Sequence, residues 1–504
     1  MSDLNVRGVG LRAEKIMGDA SIGNQIMICT HKSVGPKSSR AAGFASTPLL
    51  TALLLLIGFL TPGSAVMAAD SGWQAGFGKV KITPTQPMWM SGYASRDHGA
   101  EGTLTELWAK TICLQDARGQ RVVLVTLDLV GIDRQTSLQI CQAAGAKYGL
   151  ERKQISLNCS HTHTGPVVGH NLGSMYFLDE AQTRLVEQYT HQLQGGILES
   201  IGQAIAALKP AQVNWGIGQA TFAVNRRTNK EDEVPKLRED GLLKGPVDHT
   251  VNVLSVTGAD GKLIGVVCGY ACHATVLPFY QWSGDYPAFA QQALEKSHPG
   301  AVAMFVAGCG GDQNPLPRRK VELAEQYGQM LADSVEAVLL GKNQEALPAQ
   351  VEAAYTEVPL PYARVPTKAE LMADSMSTNK YIARRAQILL AGIEKGMTLQ
   401  PTYPYPVQVW TLGPDRRMVF LGGEVVVDYA LRIRKELGGN NVWPAGYSND
   451  VMAYIPSLRV LKEGGYEGGG AMLYYGLPSL WSETVEETLI KGLHETVTRT
   501  APAK

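Results

Sequence analysis

The feature that most constrains this chain is a recurring junction. Compact apolar runs end directly in polar, glycine-containing loops: "ISLNC" enters "SHTHTG", "VVCGYAC" enters "HATVLP", "AMFVAG" enters "CGGDQNP", and "MVFLGG" enters "EVVVD". Short apolar runs bounded by turn residues read as buried strands. Strand ends are rigid places from which to project reactive side chains into a cleft. The four junctions carry His, His, Asp/Asn and Glu.

The segments between them complete an α/β pattern. "RVVLVTLDLVGI" reads as a buried strand after the turn "DARGQ". "HTVNVLSVTGADGKLIGVVCGYA" and "VQVWTLGPDRRMVFLGGE" read as hairpins. Residues 180–208 read as a helix with a break at Gly195–Gly196, and 321–340 and 367–394 also read as helices. "VVVDYALRIRKELGG" reads as a helix closed by a glycine cap. "YTEVPLPYARVP" is expected to be a loop. The expected fold class is mixed α/β: one large domain, with central β-sheets flanked by helices and a metal site at strand-to-loop ends.

Composition excludes some partners. The chain has 504 residues, 45% of them hydrophobic, enough for a large core. It balances 46 basic against 46 acidic residues, and no basic run is interleaved with aromatics, so nucleic acid is not an expected partner. The N-terminal part differs from the rest. "TPLLTALLLLIGFL" follows Lys32, Lys37 and Arg40 and precedes small residues, as in a secretory signal cleaved near Ala68. An uncleaved membrane anchor is the alternative, although a span needs ~20 apolar residues. Translation from Met17 or Met27 is a further expectation. The expected domains are therefore a leader at 1–68 and a catalytic domain at 69–504, and the expected location is exported, periplasmic or secreted. Cys29 lies in the leader; Cys113, Cys141, Cys159, Cys268, Cys272 and Cys309 form no CxxC pair, which argues against a thiolate zinc site. Most are expected to be buried small apolar side chains.

Zinc takes imidazole nitrogen and carboxylate oxygen, with an open position in catalytic sites. His161, His273 and Glu424 could meet as a two-histidine, one-carboxylate site. Spacing alone leaves other readings open: a satisfied core histidine for His273, and a helix N-terminal acid for Glu424.

A resemblance adds to this. "NCSHTHTGP", "VNRR", "GYACHATVL", "SGDYPAFAQQALE", "GCGGDQNP", "LGGE" and "GYSNDVMAYIPS…GGYEGG" occur in the order found in the neutral/alkaline ceramidase family. The chain resembles that family's N-terminal catalytic domain from about Gly76 to about Tyr475. The resemblance implies a zinc-dependent amidase with one ion, held by His161, His273, Glu424 and Tyr454. It implies that His163 faces the reacting carbonyl, that Arg226 is an active-site arginine, and that Tyr466 is a substrate-side tyrosine. Surface cation is the competing reading of Arg226. Asp128 and Asp285 are expected to be supporting residues.

Departures from the family pattern are specific. The family's G-D-x-S-P-N loop reads "GDQNPL", with Asn314 at the serine position, which excludes a serine nucleophile there. "EGTLTELWAK" replaces an early G-I-H-like turn. The family's Ig-like C-terminal domain is expected to be missing. The chain thus looks like a divergent relative. Its expected substrate is a small-molecule or lipid amide, ceramide among them, with peripheral membrane contact allowed. The alternatives are a different amide or ester on the same scaffold, or a non-catalytic metal-stabilised lipid- or glycan-binding protein.

Overall fold

The computed structural model describes residues 72–342 and 344–500. The leader readings, including Cys29 and the cleavage position, lie outside the described residues. Among those described, no helix is long and apolar enough to cross a membrane.

Two stacked sheets build the molecule. The larger contains β1 (Trp73–Lys81), β2 (Trp108–Gln115), β3 (Arg121–Leu127), β4 (Ile155–Cys159), β5 (Lys209–Gln219), β6 (Thr250–Gly258), β7 (Leu263–Tyr270) and β8 (Val302–Ala307). Their order is β8-β7-β6-β5-β1-β2-β3-β4, and Glu345–Ala346 adds a ninth, short strand on β5. The outer pairs β8/β7 and β3/β4 are parallel; the inner pairs are antiparallel. The smaller sheet orders β9 (Val351–Pro361), β10 (Thr402–Leu412), β11 (Arg416–Leu421) and β12 (Val442–Ala445).

Burial on both faces explains the unbroken apolar runs, since a strand covered on each side has no water-facing residue. In β3, Val122 and Leu124 face a core shared with Trp410, Phe420 and Trp443 of the second sheet. Val123, Val125 and Leu127 belong to the opposite core. Helices α1 (Arg134–Tyr148), α2 (Glu180–Ala206), α3 (Asp285–Ser297) and α4 (Val321–Leu340) contribute to that second core. The outer face of the small sheet packs on α5 (Val427–Leu437) and α6 (Val485–Thr498). The result is a helix–sheet–sheet–helix sandwich, as the mixed α/β reading expects.

The larger sheet curls until its two edge strands meet. Asn158 of β4 accepts from Ala307 N at the end of β8 (2.9 Å) and donates to Gly446 O beyond β12 (2.8 Å). This buried amide gathers three strand exits at one end of the sandwich.

Three local expectations differ from the structure. The helix α2 runs through Gly195–Gly196 without a break. Its packing on β1 outweighs the weak helix propensity of glycine. Residues 367–394 form two helices, Lys368–Asp374 and Lys380–Glu394, because Asn379 caps the second by accepting from Tyr381 N. "YTEVPLP" is part of β9 rather than a loop. Its prolines are tolerated because β9 is an edge strand, where a missing N–H breaks no ladder on the outer side. The six described cysteines are all buried and unbridged, as expected.

Close approach of α2 to β1 depends on missing side chains. A Cβ at Gly76 would lie 2.1 Å from Ala204 O, and one at Gly78 would lie 2.2 Å from Ser200 O. Gly76→Ala or Gly78→Ala should therefore cost ~1–3 kcal/mol through overpacking. Gly195→Ala, exposed with nothing near, should stabilise by about 0.5–1 kcal/mol. Denaturant unfolding of the three variants checks both signs; a neutral Gly76→Ala would contradict the close packing.

Candidate metal centre

Each of the proposed ligand residues stands just past a strand or in a two-residue ladder. His161 follows β4 by two residues and has a left-handed backbone, φ 61, rare outside glycine and costly unless its surroundings hold it. Its ring lies against Tyr447, centroids 4.4 Å apart. His273 follows β7. Glu424 follows β11, and Glu424–Val425 pairs in parallel with Tyr454–Ile455, so that Glu424 is in register with Tyr454.

The donor atoms converge. Glu424 Oε2 lies 3.1 Å from His161 Nε2 and 3.0 Å from His273 Nε2. Tyr454 Oη lies 3.3 Å from His273 Nε2. His161 Nδ1–H donates to Val130 O and His273 Nδ1–H to Gly310 O, each at 2.7 Å. Carbonyl oxygens only accept, so both Nδ1 atoms carry protons, and each ring in its neutral form presents its Nε2 lone pair toward the carboxylate. Buried lone pairs that close repel one another unless a cation lies among them. A zinc ion sits ~2.0–2.1 Å from each such donor, and tetrahedral donors are then about 3.3 Å apart. The observed spacings fit that demand. Backbone carbonyls fixing the far nitrogen are also the usual outer shell of a metal-bound histidine.

The protonation states are consistent with this. Burial, followed by the nearby Arg226 charge, lowers the His273 pKa to about 4. Burial acts to raise Glu424, but its close contacts with His161 and His273 outweigh it and hold Glu424 well below the usual carboxylate range. Tyr475 Oη donates to its other oxygen, Oε1.

His163 is placed differently. Its Nε2 lies 3.0 Å from His161 Nε2, and the ring nitrogens of His161, His163 and His273 all fall within 4.8 Å of one another. Distance alone would admit it as a ligand. Its Nδ1, however, is buried without a partner, whereas the other two histidines are anchored there. That favours a substrate-facing ring over an anchored ligand. Burial, then the closeness of His161 and His273, lowers its pKa well below the ordinary value. Gly92 makes room for it: a Cβ there would lie 2.5 Å from His163 Nδ1.

Arg226 lies in the cavity wall rather than on the open surface. It follows the ladder Ala223–Asn225/Gln313–Pro315 and donates to Glu467 (2.7 Å), Asn314 Oδ1 (3.2 Å) and Tyr454 Oη (3.0 Å). Asn314, at the family's serine position, thus accepts from Arg226. Tyr466 is about two-fifths exposed at the cavity mouth, its ring 5.3 Å from Tyr454. Asp128 and Asp285 accept from the backbone of Trp108 and Leu277, a supporting role. Asp312, the acid at the third strand-to-loop junction, accepts from Val427 N and Asn225. Sequence reasoning passed over Tyr475, which holds Glu424. It also passed over Glu467, although this residue lies inside the quoted "GGYEGG".

Residues 73–315 match the model of the neutral/alkaline non-lysosomal ceramidase family, N-terminal part. These residues are thus similar to that family's N-terminal part. Neutral ceramidase of Pseudomonas aeruginosa is 29% identical over 54% of this chain and 41% of its own length. Neutral ceramidase 1 of Arabidopsis thaliana is 26% identical over 58% of this chain and 37% of its own. The chain spans about two fifths of those relatives. The crystal structure of the Pseudomonas aeruginosa neutral ceramidase shares the fold over 86% of this chain and 75% of its own, with TM-score 0.64 and 23% identity. A ceramidase complexed with C2 covers 86% of this chain and 76% of its own, with TM-score 0.65 and 20% identity. His161, His163, Arg226 and His273 fall inside the ceramidase-family match; Glu424, Tyr454 and Tyr466 lie beyond it.

Metal content tests the cluster. His273→Ala should lose most of the zinc bound by the wild-type protein in elemental analysis; equal zinc in both would remove His273 from the ligand set. The pH dependence has a definite sign. A folded-state pKa of about 4 for His273 lies below the ~6.5 of an unfolded histidine. Its contribution to folding is therefore complete above about pH 6.5 and is lost as pH falls toward 4. Unfolding of the metal-free protein measured across that range should show falling stability with falling pH.

Proposed function

We propose that this chain is a metal-dependent amidohydrolase that cleaves an N-acyl amide bond with water, and that zinc is its metal. The convergence of Glu424 Oε2 with the His161 and His273 Nε2 atoms carries this reading, since those buried lone pairs demand a cation. Zinc, when bound by His161, His273, Glu424 and Tyr454, would polarise the amide carbonyl and supply a nucleophilic water near neutral pH. The names of the neutral ceramidase relatives support an amide of the ceramide type as the family substrate; another amide or ester on the same scaffold is the second reading. A catalytic domain over 69–504 behind an exported leader is part of the proposal.

The protein's own groups have separate tasks. His163, neutral through burial, accepts the proton that the attacking water gives up and returns it to the amine nitrogen as the carbon–nitrogen bond breaks. The water oxygen stays on the acyl carbon, so the products are a carboxylic acid and an amine. Arg226, fixed by Glu467, presents its guanidinium beside Tyr454 and to charge developing on the carbonyl oxygen. Tyr466, at the mouth, contacts the arriving substrate. Asn314 holds Arg226 rather than attacking.

His163→Ala should keep its zinc and lose at least ~10² in turnover. Acid release from an amide library, with zinc content measured on the same samples, separates the roles. Loss of zinc in this variant would make His163 a ligand; unchanged turnover would remove it from the chemistry.

A further inference from the structure

The cavity over His163 and Tyr454 is about 760 Å³. Charged side chains, Arg226, Arg227, Arg318, Glu463 and Glu467 among them, stand in its wall beside Tyr93, Leu316, Tyr454 and Tyr466. On one side Arg226 and Arg227 are matched by Glu463 and Glu467. On the other side Arg318 and Arg319 both pair with Glu231, and the buried Asp285 lies near enough to Arg318 to feel its charge. Arg318 lines the cavity and uses only Nε on Glu231, at 3.1 Å. Its two terminal amino groups have no hydrogen-bond partner among the described residues. A planar guanidinium with both ends free matches a carboxylate in a bidentate pair.

Two hydroxyls in the same cavity wall are also unmatched. Tyr93 and Thr275 line the same cavity, and Tyr93 Oη and Thr275 Oγ1 are buried without partners. Buried polar atoms are normally paired, and an unpaired one is costly unless a ligand or water completes it. Burial pushes the Tyr93 phenol up to about 12, and Arg318 is the foremost charge opposing that shift. The phenol therefore stays a donor, close to the arginine. Its ring centroid is 4.8 Å from that of His163, which ties this corner to the reacting end of the site.

We propose that the cavity selects a small N-acyl amine bearing a free carboxylate, of the N-acyl amino acid class, with Arg318 binding the carboxylate and the Tyr93 and Thr275 hydroxyls donating to the same substrate. This rests on the amidase reading above and narrows its substrate away from ceramide.

The test compares N-acetyl and N-hexanoyl amino acids, the matching amino-acid methyl amides, and long-chain ceramide in mixed micelles, all with zinc-loaded protein. Carboxylate substrates should show kcat/KM roughly tenfold or more above both other classes, the scale of a charge-assisted contact. Arg318→Gln should erase that preference by raising KM with little change in kcat. Tyr93→Phe and Thr275→Val should weaken the carboxylate substrates alone. Preference for ceramide, equal rates for acid and methyl amide, or an Arg318→Gln loss that is uniform across all classes would overturn the proposal. If no amide of any class is cleaved, the amidase reading fails, and calorimetric titration decides the specificity question separately. Binding of N-acetyl amino acid but not its methyl amide, lost in Arg318→Gln, supports the carboxylate site; equal or absent binding of both overturns it.

Discussion

One carboxylate oxygen organises this molecule. Glu424 Oε2 lies between the Nε2 atoms of His161 and His273, and both rings are turned toward it by carbonyls that accept from Nδ1. Bringing three buried lone pairs together is unfavourable without a cation. Only a rigid surround can hold them there in advance, and the sandwich supplies it. The exits of β4, β7 and β11 meet at one end, Asn158 fastens the two sheet edges, and the left-handed backbone at His161 is held against Tyr447. Energy for this strain comes from apolar packing elsewhere, where both faces of the central strands are covered.

A second, ionic layer surrounds that centre. Glu467 accepts from both Arg226 and Arg227, and Arg226 reaches Tyr454 and Asn314 in turn. Such a buried network orients its members more than it stabilises the fold, because desolvation offsets much of the Coulomb gain. Its consequence is chemical: the Tyr454 phenol oxygen, beside His273, faces a guanidinium. The wall this network forms is hydrophilic, which couples the architecture of the site to the kind of substrate that can enter it.

The parts visible in the sequence are those governed by local rules. Strands such as Arg121–Leu127 show as unbroken apolar runs because both their faces are dry. His161, His273 and Glu424 were legible as candidates because each sits where such a run breaks into a glycine-containing loop. Other features were hidden for equally definite reasons. Pro359 and Pro361 signal a loop, yet an edge position lets them remain in β9. Gly195 and Gly196 signal a break, yet packing on β1 carries α2 through them. Tyr475 holds Glu424 through a single side-chain contact that leaves no periodic trace.

The sequence by itself determined the alternation of buried strands and helices and which residue types stand at the strand ends. Those follow from hydrophobic patterning and turn chemistry, which act over a few residues. Tertiary structure alone decided that His161, His273, Glu424 and Tyr454 share one point, that His163 stands beside them without an anchor at Nδ1, and that Arg318 faces the cavity with two free donors. These are contacts between residues up to roughly three hundred positions apart. Only the curl of the large sheet and the stacking of the second upon it bring them within hydrogen-bond distance.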